Sequence, residues 1–342
     1  MFDESDPGNS AARRSWKLTG PDGLQIEVLQ LGATWASCRL PLADGTRREL
    51  LLGFETETDY LRQTSYIGAT IGRYANRIAH GRVSWQGQQI ELDRAPGSAH
   101  HLHGGPKGFD RRRWRLIEHT IDRLRLALHS PDGDQGYPGA LDCELSYRML
   151  AGDAVELHFC AEVSRPCPVG LTSHPYFNLD GCGDARSQHL LIAADRYLPV
   201  AGDGIPAGPP CGLSNTGFDF RALRPIAPDV AGQRLAVYDH AYLLDRSCAS
   251  MQRPAARLQS ADRRVGLEIF TTLPALQLYT GQHLAQGTRE CSSAWPDCSG
   301  IALEPQFLPD SPNHPEWPQP GCWLLPGQVY EHRIAYRFSA LL

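Results

Sequence analysis

Short runs in which every second residue is apolar recur along the chain. Leu24-Gln25-Ile26-Glu27-Val28, Leu124-Arg125-Leu126-Ala127-Leu128, Val155-Glu156-Leu157-His158-Phe159 and Val265-Gly266-Leu267-Glu268-Ile269-Phe270 are clear instances. Successive side chains of a strand point to opposite faces, so this pattern predicts strands with one face buried and one wet. Gly, Pro, Asp or Ser bounds each run, as turns between strands require. The apolar run Ile301-Ala302-Leu303 reads as another strand, closed by Glu304 and ended by Pro305. Helical signal is thin: Asp219 to Leu223 and Asp229 to Val237 have room for a turn or two, and prolines at 225 and 228 break anything longer. Strand–helix alternation of the parallel kind is missing, and so are G-x-G-x-x-G and G-K-[ST] loops, which argues against a dinucleotide or P-loop nucleotide enzyme. The expectation is an all-β, largely antiparallel domain, single or nearly so.

Composition supports this reading. The 33 Gly and 26 Pro among 342 residues leave little room for long helices, and 42% apolar with 21% charged residues suits a chain that buries a sizeable core. The densest breaker segments, Pro199 to Pro210 and Pro305 to Pro320, read as long loops within one domain. Residues 1–15 are expected to form a flexible N-terminal segment and 16–342 the domain.

Charge excludes some partners. With 33 Lys+Arg against 38 Asp+Glu, the net charge of −5 offers nothing to neutralise a phosphate backbone, so nucleic acid is not an expected partner. The one basic cluster, Arg111-Arg112-Arg113 with Arg115, reads as a strand edge or turn. The acidic start MFDESDPGNSAARR has no apolar signal core, and no stretch is long enough to span a bilayer, so a soluble cytoplasmic protein without a membrane partner is expected. The ten cysteines show neither C-x-x-C nor zinc-type spacing and read as scattered free thiols acting as small buried hydrophobes.

Polar groups gather among glycines and aromatics in six segments: Ile71 to Ile78, His101 to Gly105 with Gly108-Phe109-Asp110, Thr172 to Leu179, Tyr238 to Tyr242, Leu276 to Gly281, and Leu303 to Asp310. Singly they are ambiguous. His174 is either a hydrogen-bonded structural histidine or a proton carrier. Glu304 is either paired with an arginine or tuned for proton transfer. His100, His101 and His103 suggest a metal, but no carboxylate accompanies them. Asn76-Arg77 suits an ion pair, Asp239 a turn cap and Gln277 a ladder partner.

Taken together, these segments resemble the aldose 1-epimerase family, the sugar mutarotases. IGRYANRI, HLHGG with KGFD, DGDQGYPG (132 to 139), TSHPYFNL, YDHAYLL, LQLYTG and LEPQFLPDSPN carry the resemblance, in order, from about Trp16 to Phe338. It implies a large antiparallel β-sandwich with an open cleft and an enzyme that interconverts the anomers of a free aldose, galactose or glucose, without metal or other cofactor. It further implies His174 as general acid and Glu304 as general base. Asn76, Arg77, His103, Tyr176, Asp239 and Gln277 would hold the sugar. The protein would act as a monomer or homodimer. Ser173 and Ala241 stand where the family often has Asn, which bears on the preferred sugar. A hexose-6-phosphate epimerase, with Arg111 to Arg113 cradling the phosphate, and a non-catalytic sugar-binding protein on the same scaffold are the competing readings.

Overall fold

The computed structural model describes residues 14–227 and 236–341. Three antiparallel sheets carry the fold. The largest has nine strands, in the spatial order Arg115–His119, Arg123–Ser130, Leu141–Leu150, Ala154–Val163, Tyr330–Ala340, Val265–Thr271, Ala256–Gln259, His189–Ile192 and Arg224–Pro225. The second has six: Tyr176–Phe177, Ile301–Gln306, Ala275–Tyr279, Asp239–Leu244, Ala194–Tyr197 and Cys211–Gly212. The third joins Ser15–Thr19, Gln25–Leu29, Trp35–Pro41 and Arg47–Glu49. This is the all-β antiparallel sandwich that the alternation and the resemblance predict.

The alternating runs lie in strands with one wet face. Leu141–Leu150 and Val265–Thr271 bury every second residue against the core. The strands Ala275–Tyr279 and Ile301–Gln306 differ, because they are buried almost throughout. Leu276, Leu278, Ile301 and Leu303 face the shared core, which leaves Gln277 and Glu304 on the opposite face. Trp35 stands where the three sheets meet: its ring packs edge-on against Tyr336 at 5.1 Å and Phe177 at 6.2 Å.

Several expectations are corrected here. Of the segment 1–15, residues 1–13 lie outside the described residues, and Ser15 already pairs with Leu29. Pro305 does not end its strand; it pairs with Leu276, and Gln306 follows. Proline is tolerated there because the neighbour Tyr176–Phe177 pairs only as far as Ala302, leaving Pro305 at an edge. Asp219 to Leu223 form no helix, since the Asp219 carboxylate accepts the Arg221 backbone N–H at 3.1 Å and closes a local turn instead. Most of Asp229 to Val237 lies outside the described residues. Among the described residues the α-helices, Glu57–Arg62 and Leu284–Thr288, are each less than two turns long. All ten cysteines are free; six are buried, whereas Cys182 and Cys211 are exposed. Among the described residues, no helix is long and apolar enough to cross a membrane.

Candidate active site

Strand pairing brings the candidate residues together across long sequence distances. In the six-stranded sheet Gln277 lies beside Glu304, Ala241 beside Gln277, Asp239 beside Tyr279 and Tyr176 beside Ala302. The segment before Tyr176 crosses to another pairing, Thr172 with Ile71 and Ser173 with Thr70. His174 spans the gap between the two. Pro175 keeps it extended, and its backbone exchanges hydrogen bonds with Ala69 and Gly68, each at 2.9 Å. Pairing of Arg77 with Leu102 sets His103 next to Asn76. There the chain turns through left-handed residues, Asn76 at φ 67° and His103 at φ 52°. Gly104 must be glycine: a Cβ on it would lie 1.7 Å from the Gly72 carbonyl oxygen.

His174 Nε2 lies 3.4 Å from Glu304 Oε1, with both side chains almost wholly buried. Burial disfavours charge on each. It pushes the Glu304 carboxyl well above the usual range, helped by Asp239 and opposed by Arg77, and it pulls His174 down to about 4. Burial thus favours the arrangement in which a proton shared by the two sits on Glu304 and the His174 ring is neutral. His174 Nδ1 and Glu304 Oε2 have no protein partner. The His174 ring lies 5.0 Å from Tyr176, 5.4 Å from His103 and 6.1 Å from Tyr66.

The walls are polar and fixed. His103 Nδ1 accepts the Asn76 backbone N–H at 3.1 Å, so the neutral ring carries its proton on Nε2. Burial keeps that ring neutral by pushing its pKa well below the ordinary histidine value. Asp239 is held from two sides: Gln277 Nε2 donates to its Oδ1 at 2.6 Å, and Arg77 approaches its Oδ2 at 3.6 Å.

These groups line a cavity of about 220 Å³. Seven of the eight residues expected from the sequence reach it; Gln277 stands behind Asp239 and acts on it. The sequence reading did not single out Ser65, Tyr66, Tyr279, His283 and Gln286, which also line the cavity. Of these five only Tyr279 lies in a quoted string, LQLYTG. Tyr66 carries one faint sign, a bulky residue just before Ile67-Gly68, and the structure holds it at φ 56° against His103. A larger groove of about 540 Å³ lies on the nine-stranded sheet near Arg115 and Glu144, but it contains none of these residues.

A metal fits this site poorly. The ligating atoms of His103, His174 and Glu304 lie within 4.8 Å of one another. Coordination through His103 Nε2, however, would strip the only proton from a ring whose Nδ1 already accepts a hydrogen bond. His100 and His101 point elsewhere. His101 Nδ1 bonds the Asp93 carbonyl at 2.5 Å and its Nε2 the Tyr137 hydroxyl at 2.8 Å, while His100 reaches Asp203. Arg111 to Arg113 do not serve this cavity, although Arg112 and Arg113 line the larger groove. Arg111 donates to the carbonyls of Tyr60, Leu61 and Gln63, Arg112 pairs with Asp134 and Arg113 with Glu57, and none lines the cavity.

Comparison with known proteins identifies the family. The sequence profile of the family described as aldose 1-epimerase matches residues 14–337. The chain is 43% identical over 323 residues to the aldose 1-epimerase of Escherichia coli (strain K12), covering 93% of each protein. It is 35% identical over 347 residues to the galactose mutarotase of Rattus norvegicus, covering 99% of this chain and 97% of that one. A solved structure of an aldose epimerase homologue from C. elegans superposes with a TM-score of 0.87 at 27% identity, over 97% of this chain and 100% of the other.

Proposed function

We propose that this chain, which belongs to the aldose 1-epimerase family and is an isomerase, interconverts the α and β anomers of free aldoses such as D-galactose and D-glucose, with Glu304 as general base and His174 as general acid. The observation that carries the proposal is the buried His174–Glu304 pair, 3.4 Å apart, in the wall of a polar cavity of about 220 Å³.

The chemistry follows from the groups. Glu304 takes the proton from the O1 hydroxyl while His174 gives one to the ring oxygen. The C1–O5 bond breaks, C1=O1 forms and the open aldehyde rotates about C1–C2. Closure on either face returns both protons with the roles exchanged. The pair carries one proton throughout, and ring opening leaves a protonated Glu304 and a neutral His174, the arrangement that burial favours. The charged arrangement that starts the step differs from it by a proton moved across the 3.4 Å gap.

Binding falls to the walls. The Nε2–H of His103, the Arg77 guanidinium and the Asp239 carboxylate present donors and an acceptor to sugar hydroxyls, as charge-assisted bonds for the last two. Asn76 and Tyr176 flank them, and Gln277 keeps Asp239 in place. No electrons move and no group leaves, so the residues themselves are sufficient for the reaction.

Polarimetry on freshly dissolved α-D-galactose and α-D-glucose tests the reading. Decay to the equilibrium rotation faster than the spontaneous rate is the expected result and ranks the two sugars. No acceleration with either would overturn the assignment of these substrates.

A further inference from the structure

Arg77 is held from two directions by segments far away in sequence. Its backbone carbonyl accepts the Asp310 N–H at 2.8 Å, and Asp310 Oδ1 accepts the Ala79 N–H at 2.9 Å. The loop after Glu304 thus pins the main chain of Arg77. Its side chain meets a different loop, Pro199 to Ala207. That loop folds back on itself: Ala207 N–H donates to the Pro199 carbonyl at 2.8 Å and Ala201 N–H to that of Ile205 at 2.8 Å. At its tip Gly204, at φ +80°, lies close against the Arg77 guanidinium. A Cβ there would come within 2.8 Å of both Cζ and Nε of Arg77.

The tip is latched. Asp203 Oδ2 lies 3.2 Å from His100 Nε2. His100 is only 7% exposed, and its Nδ1 accepts the His80 backbone N–H at 3.0 Å. The ring therefore carries its proton on Nε2 and donates it to Asp203 without needing a charge. His80 lies three residues beyond Arg77, so the latch ties the tip back to the segment that carries the arginine. Asp203 also shapes the tip itself, because its Oδ1 accepts the Ile205 N–H at 3.2 Å.

Arg77 needs such confinement. At 3.6 Å its contact with Asp239 is too long to be a firm hydrogen bond, and about a quarter of the side chain remains exposed. A long side chain loses rotamer freedom when it grips a ligand, and a surface that already confines it lowers that cost. We propose that the Asp203–Gly204 tip, latched by His100, is a positioning element that presses Arg77 into the sugar site and thereby sets the site's affinity. The proposal rests on the reading of Arg77 as a sugar-binding residue.

The experiment is KM and kcat for galactose by polarimetry with Asp203→Ala, Asp203→Asn, Arg77→Met and the double variant Asp203→Ala/Arg77→Met, with thermal denaturation as a folding check. Asp203→Ala changes an exposed side chain and should raise KM about two- to tenfold, the cost of confining one rotamer-rich side chain at binding, with kcat little changed. Asp203→Asn keeps an acceptor for only one of the two donors, His100 Nε2–H and Ile205 N–H, so its KM should fall between those of the wild type and Asp203→Ala. In the Arg77→Met background, Asp203→Ala should have no further effect, because the residue it acts through is gone. If Asp203→Ala leaves KM unchanged while Arg77→Met raises it, the tip has no positioning role although Arg77 still binds sugar. Additive effects in the double variant would also overturn the proposal, by showing that the tip acts elsewhere. An Arg77→Met enzyme with wild-type KM would remove Arg77 from sugar binding, and the proposal with it.

Discussion

Replacing Glu304 by Gln removes one proton acceptor and almost nothing else. The amide matches the carboxylate in length and volume, and the site is closed around it, with Glu304 only 2% exposed. The neighbours cannot take over its role: His103 is committed as a donor by the Asn76 N–H on its Nδ1, and Asp239 is tied to Gln277. A positioned general base contributes about 10²–10⁴-fold, which is roughly 3–5 kcal/mol at about 1.4 kcal/mol per decade. With no substitute in reach, kcat should fall by about 10³, while sugar affinity changes little because Gln still offers a hydrogen-bonding oxygen. The assay is polarimetric decay of fresh α-D-galactose, corrected for the spontaneous rate. A kcat within tenfold of wild type would refute Glu304 as the base. Stability supplies an independent check. In the folded protein the Glu304 pKa lies above its unfolded value of 4.5, so above that pH the folded state retains a proton that the unfolded state has lost. Wild type should therefore fall increasingly behind Glu304→Gln in melting temperature as pH rises above 4.5. The opposite trend would mean that the carboxylate is stabilised by its surroundings, against the burial argument.

His174→Asn should lower kcat by about 10²–10⁴ at unchanged sugar affinity, and a normal rate would pass the acid role to another group, His103 first. The acid limb of kcat/KM should lie near pH 4, where His174 takes the pair's second proton and no base remains. A limb near 6.5 would reveal a histidine in contact with water. Treatment with a chelator should leave the rate unchanged; a loss that Zn²⁺ restores would show that His103, His174 and Glu304 do hold an ion.

How much of this could be read from the sequence depends on where water touches the chain. Strands such as Leu141–Leu150 and Val265–Thr271 alternate because one face is wet. Ala275–Tyr279 and Ile301–Gln306 bury both faces, so period two vanishes in the strands that carry Gln277 and Glu304, and only the apolar run at 301–303 hints at a strand. The helices Glu57–Arg62 and Leu284–Thr288 are too short to display a helical period. Motif resemblance picked out His174, Glu304 and most of the other residues that line the cavity, because those positions sit in unusual strings such as HPYFNL. It could not locate Tyr66, His283 or Gln286, which reach the cavity through a left-handed turn and through the docking of 283–287 on Thr64 and Ser65. Gln277 was assigned to the sugar, and the structure turns its amide to Asp239 instead, a one-layer difference that spacing along a chain does not encode.

The double burial of Ala275–Tyr279 and Ile301–Gln306 also bears on how such a protein can change over generations. Leu303 and Glu304 are adjacent on one backbone, the first facing the core and the second the cavity. A substitution that retunes the floor must also survive in the most crowded layer of the molecule, where a change of one methylene is felt. Variation in sugar preference is therefore channelled to the rim, to Ser65, Tyr66, His283, Gln286 and the 199–207 loop. There a side chain can be exchanged without disturbing the packing between sheets. The reaction is inherited with the fold, and the choice of sugar is left to the loops.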